Sequence, residues 1–261
     1  MSQSFFISPT RRSFGALGLL LALGAQAQTP VAPPLPAIAV YSQVAREVSV
    51  VQFQESIGTR INNNVRQRIP VPDGALDKVV VVLAGQALRQ AMPMVNPWLV
   101  APTDEDLFDS LQNAAEGSKV AIADDMLAAL KERGSTQLLL FTRFRADATL
   151  RAAYSREGTG QLEGLGFFVD NSTRTKNVDT NLVGVGFLAP YVHFRSTLVD
   201  VATQRVLRTR TTTEGYILSA ADAKGSAHPW DVMTPSQKMN TLRDMLKTEI
   251  GRVVPELMAQ R

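Results

Sequence analysis

Residues 190–218, PYVHFRSTLVDVATQRVLRTRTTTEGYIL, decide the fold. β-Branched, aromatic and other apolar residues recur through both halves of this stretch, and the more polar segment 200–205 separates them. The pattern predicts two long strands, 190–203 and 204–218, joined by a tight turn. An isolated strand pair is marginally stable, so this one needs neighbouring strands and covering helices.

Shorter runs upstream have the same strand character. The run 136–148, TQLLLFTRFRADA, is the most strand-like segment of the chain. The runs 37–42 (AIAVYS) and 47–53 (EVSVVQF) are typical of a strand pair or hairpin. A further short extended piece is predicted within 94–102.

Helices are predicted between and after these runs. Residues 75–91 have the length and composition of a helix, although the run Val79–Val82 also fits a strand. A capping hydroxyl and three acids at 103–106 predict a helix that runs to about Glu116. Residues 119–134 predict another, ended by basic residues and a glycine.

The last predicted element is a C-terminal amphipathic helix. Thr234 is its cap, Pro235 takes the first helical position, and Gln237 completes a capping box. Apolar residues then recur at helical spacing to Val254. The predicted fold class is therefore α/β (α+β), a small mixed sheet with helices packed on it and a C-terminal helix.

Residues 151–189 differ from the rest of the chain in their glycine content. Glycine-rich apolar flanks surround the polar stretch DNSTRTKNVDTN, which predicts a β-hairpin insertion in the domain. The sequence leaves open whether this hairpin projects or packs on the sheet; if it projects, it can add a strand to a partner. The candidate interaction residues are Gly164, Gly166, Phe167, Phe168, Gly184, Gly186 and Phe187.

The N-terminus has the pattern of a cleavable export signal. No acid precedes the apolar run 14–24, and this run is shorter than the roughly 20 residues that a membrane-spanning helix requires. The order TRRSF resembles the twin-arginine export motif, and a general secretory signal remains the alternative. The residues that carry the signal are Arg11, Arg12 and Phe14 in the motif and Ala25 and Ala27 at the cleavage site.

Cleavage after Ala27 divides the chain into a signal peptide (1–27), a Pro-rich tether (28–36) and a single domain (37–261). The domain contains the hairpin insertion 151–189. This division predicts a periplasmic protein with no transmembrane helix after cleavage.

The charge and the cysteine count exclude several classes of protein. The formal net charge is +3, but the signal peptide carries two Arg and no acid, which leaves 25 basic against 24 acidic residues in the mature chain. Nucleic-acid binding usually needs a clear basic excess, so we expect no nucleic-acid partner. The chain has no Cys, which excludes disulfides, thiolate metal sites and cysteine nucleophiles.

No catalytic constellation is visible in the sequence. The two histidines, His193 and His228, lie in different contexts, and no serine sits in a nucleophile elbow. We therefore expect a protein that is not an enzyme and that has no metal or other cofactor.

Arginines on the predicted strands form the one enrichment with a pattern. Arg143 and Arg145 are two residues apart and so lie on one face, while Arg195 lies close to His193 on another strand. These residues form a face for a ligand or partner if their charges are free. They form an ordinary solvated face if nearby acids balance them.

The segments TQLLLFTRFRADATLR and HFRSTLVDVATQRVLRT and the closing helix from Thr234 resemble periplasmic α/β envelope proteins of the TolB amino-terminal and curli secretion channel type. The resemblance implies a small mixed sheet with helices packed on it. It covers about half of the mature chain and matches no functional residue.

The sequence thus predicts a non-catalytic exported protein, an assembly or interaction factor in the periplasm that contacts an envelope protein or itself. The alternatives are a periplasmic anion-binding or ligand-binding module, an enzyme exported in folded form and, less favoured, an outer-membrane pore subunit.

Overall fold

A computed structural model describes residues 36–55, 63–101, 112–177, 180–222 and 228–259, all within one compact unit, Leu35–Arg261. The predicted signal peptide lies outside the described residues, as does the Pro-rich tether up to residue 35. The signal residues outside the description are Arg11, Arg12, Phe14, Ala25 and Ala27.

Twelve strands and three α-helices are found in the described part of the chain. The strands are Ile38–Gln43 (β1), Glu47–Gln52 (β2), Val65–Pro70 (β3), Trp98–Leu99 (β4), Gln137–Arg143 (β5), Arg145–Asp147 (β6), Leu150–Arg151 (β7), Arg156–Glu157 (β8), Gln161–Lys176 (β9), Val183–Asp200 (β10), Arg205–Gly215 (β11) and Leu218–Ser219 (β12). The helices are Ala75–Ala91 (α1), Asp124–Glu132 (α2) and Pro235–Met258 (α3). Ten of these strands form one mixed sheet, so the predicted α/β class with its C-terminal helix is confirmed.

Strand β10 is the centre of the sheet. One of its edges pairs with β11, as the pattern of residues 190–218 predicts, and the turn between them covers 201–204. The other edge pairs with β9 from Val183 to His193 and with β5 from Phe194 to Asp200, both antiparallel. Because they share this edge and direction, β5 and β9 follow one another along a single line.

Strands β1 and β2 exist, but they do not form the predicted hairpin. β1 is parallel to β5 and β2 is parallel to β9, so both run in one direction. All six residues of β1 are buried, which is typical of a central parallel strand rather than a hairpin arm. Asp77 of α1 holds the short link between the strands, because its Oδ1 accepts hydrogen bonds from the Ser42 hydroxyl at 2.6 Å and from the Ala45 N–H at 3.1 Å.

Helices α1 and α3 cover one face of the sheet. Leu76, Val80, Ala84 and Leu88 of α1 are buried at helical spacing, whereas Val82 is exposed. This periodicity explains why the valine run is a helix rather than a strand.

Helix α3 begins with the predicted capping box. The Thr234 hydroxyl accepts from the Gln237 N–H at 3.3 Å, and the Gln237 side chain accepts from the Thr234 N–H at 2.8 Å. In the described part of the chain, no helix is both long and apolar enough to cross a membrane.

The other face is covered by α2 and by loops. Helix α2 begins at Asp124 rather than at Lys119 as predicted. Lys119 instead forms an isolated antiparallel β-bridge with Arg205, and the Val120 N–H donates to the Gln204 carbonyl at 2.9 Å. The C-terminal end is as predicted, with Gly134 in the left-handed region.

The helix predicted from Thr103 lies outside the described residues up to position 111. The described residues 112–116 form turns and irregular chain, so the predicted helix does not extend to Glu116.

The Gly-rich hairpin is present, and its two strands are continuous with the centre of the sheet. Its first strand is β9, and its second is the N-terminal part of β10. Gly166 permits this packing, because a Cβ there would overlap the carbonyl oxygen of Ser49 on β2. The segment 151–189 therefore supplies core strands, and only its distal end extends beyond the core.

Candidate interaction surface

The two arginines predicted to share a face, Arg143 and Arg145, meet at one carboxylate. Glu163 of β9 lies 3.4 Å from Arg143 Nη1 and 2.6 Å from Arg145 Nη2. Glu47 of β2 lies 3.3 Å from the same nitrogen of Arg143 and 3.3 Å from Nε of Arg68. The two arginines therefore belong to an ion-pair network of three arginines and two glutamates that links five strands.

The arginines of β11 are also engaged. Arg208 donates to the carbonyls of Leu257 and Ala259 at 2.6 and 2.5 Å, which satisfies carbonyl groups at the C-terminal end of α3. Arg210 lies 3.8 Å from Glu116. These contacts favour the balanced-face interpretation over a basic binding stripe.

His193 and Arg195 lie inside the protein. His193 is 1% exposed, and burial lowers its pKa to about 4, so its ring is neutral near pH 7. Arg195 donates to the Ala114 carbonyl at 2.5 Å, and its guanidinium lies 4.9 Å from the centre of the Phe144 ring. Desolvation by burial lowers the pKa of Arg195.

The structure does not gather the four predicted ligand-face residues into one site. Arg143 pairs across strands with Phe194, which belongs to the apolar cluster under α1 and α3. His193 and Arg195 are adjacent in the chain to Phe194 and therefore point to the opposite face.

The exposed part of the hairpin is its distal ribbon, which consists of the described residues 171–177 and 180–185. Leu182, Val183 and Val185 are 56%, 56% and 53% exposed. The register pairs Val183 with Lys176 and Val185 with Arg174, so the two valines share a face with two exposed cations.

The opposite face of the ribbon is fastened to the domain. The Thr175 hydroxyl donates to the Gly186 carbonyl at 2.9 Å and is 2.7 Å from the Ser219 hydroxyl. A Cβ on Gly184 would lie 2.5 Å from the backbone nitrogen of Ala221. One face of the ribbon thus packs on the protein and the other faces outward.

The base of the ribbon is fixed by Asp170 and by a bulge. Asp170 Oδ1 accepts from the backbone N–H groups of Ser172 and Thr173 at 2.6 and 2.9 Å. The strand register shifts between Val185 and Phe187, where Gly186 has a φ of 92°. The base of the ribbon is therefore held by hydrogen bonds from Asp170 and marked by a change of register.

A groove of about 520 Å³ separates the ribbon from the loop 152–157. Phe187, Ile217 and Leu218 give it an apolar floor. Tyr154 lies on its rim and is 93% exposed. We call the outward surface formed around this groove the tip patch, which consists of Tyr154, Arg174, Lys176, Leu182, Val183 and Val185.

Most of the predicted interaction residues lie below the tip patch, inside the protein. The buried members of that set are Gly164, Gly166, Phe167, Phe168, Gly186 and Phe187. Gly184 alone belongs to the distal ribbon. The sequence signal for the exposed residues is the short apolar run at 182–185, which comes directly after the polar turn.

No group of three or more His, Asp or Glu residues in the described ranges is arranged to hold a metal ion.

No protein-family model and no curated protein matches the chain. Solved structures to which the chain is similar include the PelC dodecamer from Paraburkholderia phytofirmans. The two are 13% identical with a TM-score of 0.33, and the match covers 88% of this chain and 94% of that one. Protein XCC0632 from Xanthomonas campestris, of the DUF330 family model, is 11% identical with a TM-score of 0.35, over 87% and 88%. A neuraminyllactose-binding hemagglutinin homologue from Helicobacter pylori is 6% identical with a TM-score of 0.36, over 89% of both chains.

Proposed function

We propose that this protein is exported to the cell envelope and acts there without catalysis, as an assembly or interaction factor whose contact surface is the tip patch. The observation that carries the proposal is the two-faced ribbon. One face is fastened through Thr175 and Gly184, and the other exposes the side chains of Val183 and Val185 by more than half.

Exposed aliphatic groups on an ordered ribbon indicate a surface with a partner. Scattered apolar residues are normal on protein surfaces, whereas a contiguous group often marks an interaction site. The tip patch is linked through its cations, because the register places Val183 beside Lys176 and Val185 beside Arg174, and both cations line the same groove as Tyr154.

The remaining polar groups of the sheet support a non-catalytic role. Glu163 and Glu47 neutralise Arg143, and Ala114 accepts from Arg195. These contacts give the residues structural roles, which makes the alternative of an anion-binding pocket around His193 less favourable.

The test must leave the core intact. Removing 160–186 would delete β9, so the change has to be confined to the distal ribbon. The variant Leu182→Ser, Val183→Thr, Val185→Thr removes the aliphatic groups and keeps β-branched residues on the strand. Val65→Thr, Ile69→Thr on β3 is the matched control, because those side chains are 55% and 42% exposed elsewhere on the sheet.

The measurement is the fraction of each protein retained with the envelope after cell lysis, together with its thermal unfolding. We expect the tip variant to unfold at the wild-type temperature and to lose retention, while the β3 control behaves as wild type. Equal retention of wild type and a folded tip variant would overturn the proposal.

A further inference from the structure

We infer that the partner of the tip patch is the surface of a bilayer that contains anionic phospholipid. This inference rests on the proposed function and names the partner of the same surface. It depends on the chemistry, the charge and the size of the patch.

The chemistry of the patch is that of a membrane interface. Leu182, Val183 and Val185 supply aliphatic groups, and Tyr154 supplies an aromatic ring with a polar end. Tyrosine is enriched at the headgroup level of bilayers, and apolar side chains bordered by cations are typical of segments that lie in the interface.

The charge of the described patch is positive. Arg174 and Lys176 are exposed, and no described carboxylate forms an ion pair with either. Glu157 accepts a hydrogen bond from the Ser155 hydroxyl at 2.6 Å, and Asp170 is buried and engaged with the ribbon backbone. Glu157 is exposed and lines the same groove, so it offsets one of the two positive charges there. The remaining positive charge lies beside the valines and attracts phosphate headgroups, as basic residues near anionic bilayers do.

The size of the patch favours a bilayer over a protein. A stable protein interface needs about 800 Å² and 20 to 30 residues from each partner. The tip patch has six residues. A bilayer needs no matched counter-surface, since each apolar side chain gains by leaving water and each cation gains by approaching the headgroups.

The contact is made by the face of the ribbon and not by its end. The turn is polar: the Asn177 side chain accepts from the Thr180 N–H at 2.9 Å, and Asn181 lies in the left-handed region. A two-stranded ribbon also leaves backbone groups unpaired, which excludes it from the hydrocarbon core. The patch therefore lies in the headgroup region, parallel to the bilayer surface.

Vesicle flotation tests the inference with residues 28–261, which contain the whole compact unit and omit the apolar run 14–24 that would bind lipid by itself. The probes are vesicles of phosphatidylcholine alone and vesicles that also contain phosphatidylglycerol. We expect binding to the anionic vesicles and much weaker binding to the neutral ones.

Variants then assign the binding to the patch. Arg174→Gln, Lys176→Gln should weaken binding to the anionic vesicles about 30-fold, at about 1 kcal/mol per cation. Lys78→Gln, Arg89→Gln makes the same charge change on the exposed side of α1 and should leave binding unchanged. The aliphatic tip variant should lose binding, and the β3 control should keep it.

Two results would overturn the inference. One is that the wild-type protein binds neither kind of vesicle, and the other is that the tip variants bind as well as wild type. If the tip variant nonetheless loses envelope retention in cells, the proposed function stands and the partner of the patch is a protein. If envelope retention is also unchanged, both proposals fail.

Discussion

His193 makes the stability of the protein depend on pH in a defined direction. The ring is 1% exposed, and desolvation lowers its pKa from the ordinary value of 6.5 to about 4. Between these values the unfolded chain binds a proton that the folded chain does not. The free energy of unfolding should therefore fall as the pH falls through this window, and the effect levels off below about pH 4.

The size of the effect follows from the two pKa values. The loss should be about 1 kcal/mol at pH 5.5 and about 3 kcal/mol at pH 4, relative to pH 7, at 1.36 kcal/mol for each unit of pKa. Other groups act as well, and Asp77 acts in the opposite direction because burial raises its pKa. A comparison with His193→Gln cancels those other contributions.

Urea unfolding at pH 7, 5.5 and 4 measures the free energies for wild type and for His193→Gln. We expect the wild type to lose stability relative to the variant as the pH falls, by about 3 kcal/mol in total. Parallel pH profiles for the two proteins would refute the reasoning, because they would mean that His193 takes up its proton equally in both states.

Three further predictions concern packing and capping, and denaturant unfolding measures each. Gly166→Ala should lower the free energy of unfolding by about 3 kcal/mol, because its Cβ would overlap a backbone oxygen of β2. Gly251→Ala should raise the free energy of unfolding by about 1 kcal/mol, because the space around this position of α3 is open. Equal effects of the two would contradict the packing of β9 on β2. Glu163→Ala should cost about 2 kcal/mol, below the full cost of breaking a buried pair because Arg143 keeps a second carboxylate; a neutral result would mean that the network does not stabilise the fold. Thr234→Ala should cost about 1 kcal/mol through loss of the cap, and an unchanged midpoint would exclude that role.

Elements with local signals were predictable from the sequence. The capping box at Thr234 and the apolar spacing after it predict α3 without any tertiary information. The stretch 190–218 likewise predicts two strands and their turn, because adjacent strands with a short polar link pair in antiparallel fashion.

Pairing between distant segments was not predictable in this way. The apolar runs of β1 and β2 fit a hairpin equally well, and only their registers with β5 and β9 show that they run in the same direction. Helix α2 starts later than the sequence indicates, because Lys119 pairs with Arg205 and Val120 donates to the Gln204 carbonyl.

The proposed surface lies on the hairpin that the sequence singles out, but on other residues than the predicted ones. The sequence pointed to the glycines and phenylalanines, such as Gly166 and Phe168, which the structure buries between strands. Exposure depends on how far β2 extends beside β9, and this register ends at Val169. The residues beyond that point, including Val183 and Val185, are the ones left outside the core.

Site-specific photocross-linking in intact cells tests whether the tip patch contacts a component of the envelope. A photoreactive amino acid placed at position 183 of the tip patch is compared with the same group at position 65 of β3, where the native valine is equally exposed. We expect a cross-linked envelope component, lipid or protein, at position 183 and none at position 65. No adduct at position 183, or the same adduct at both positions, would contradict it.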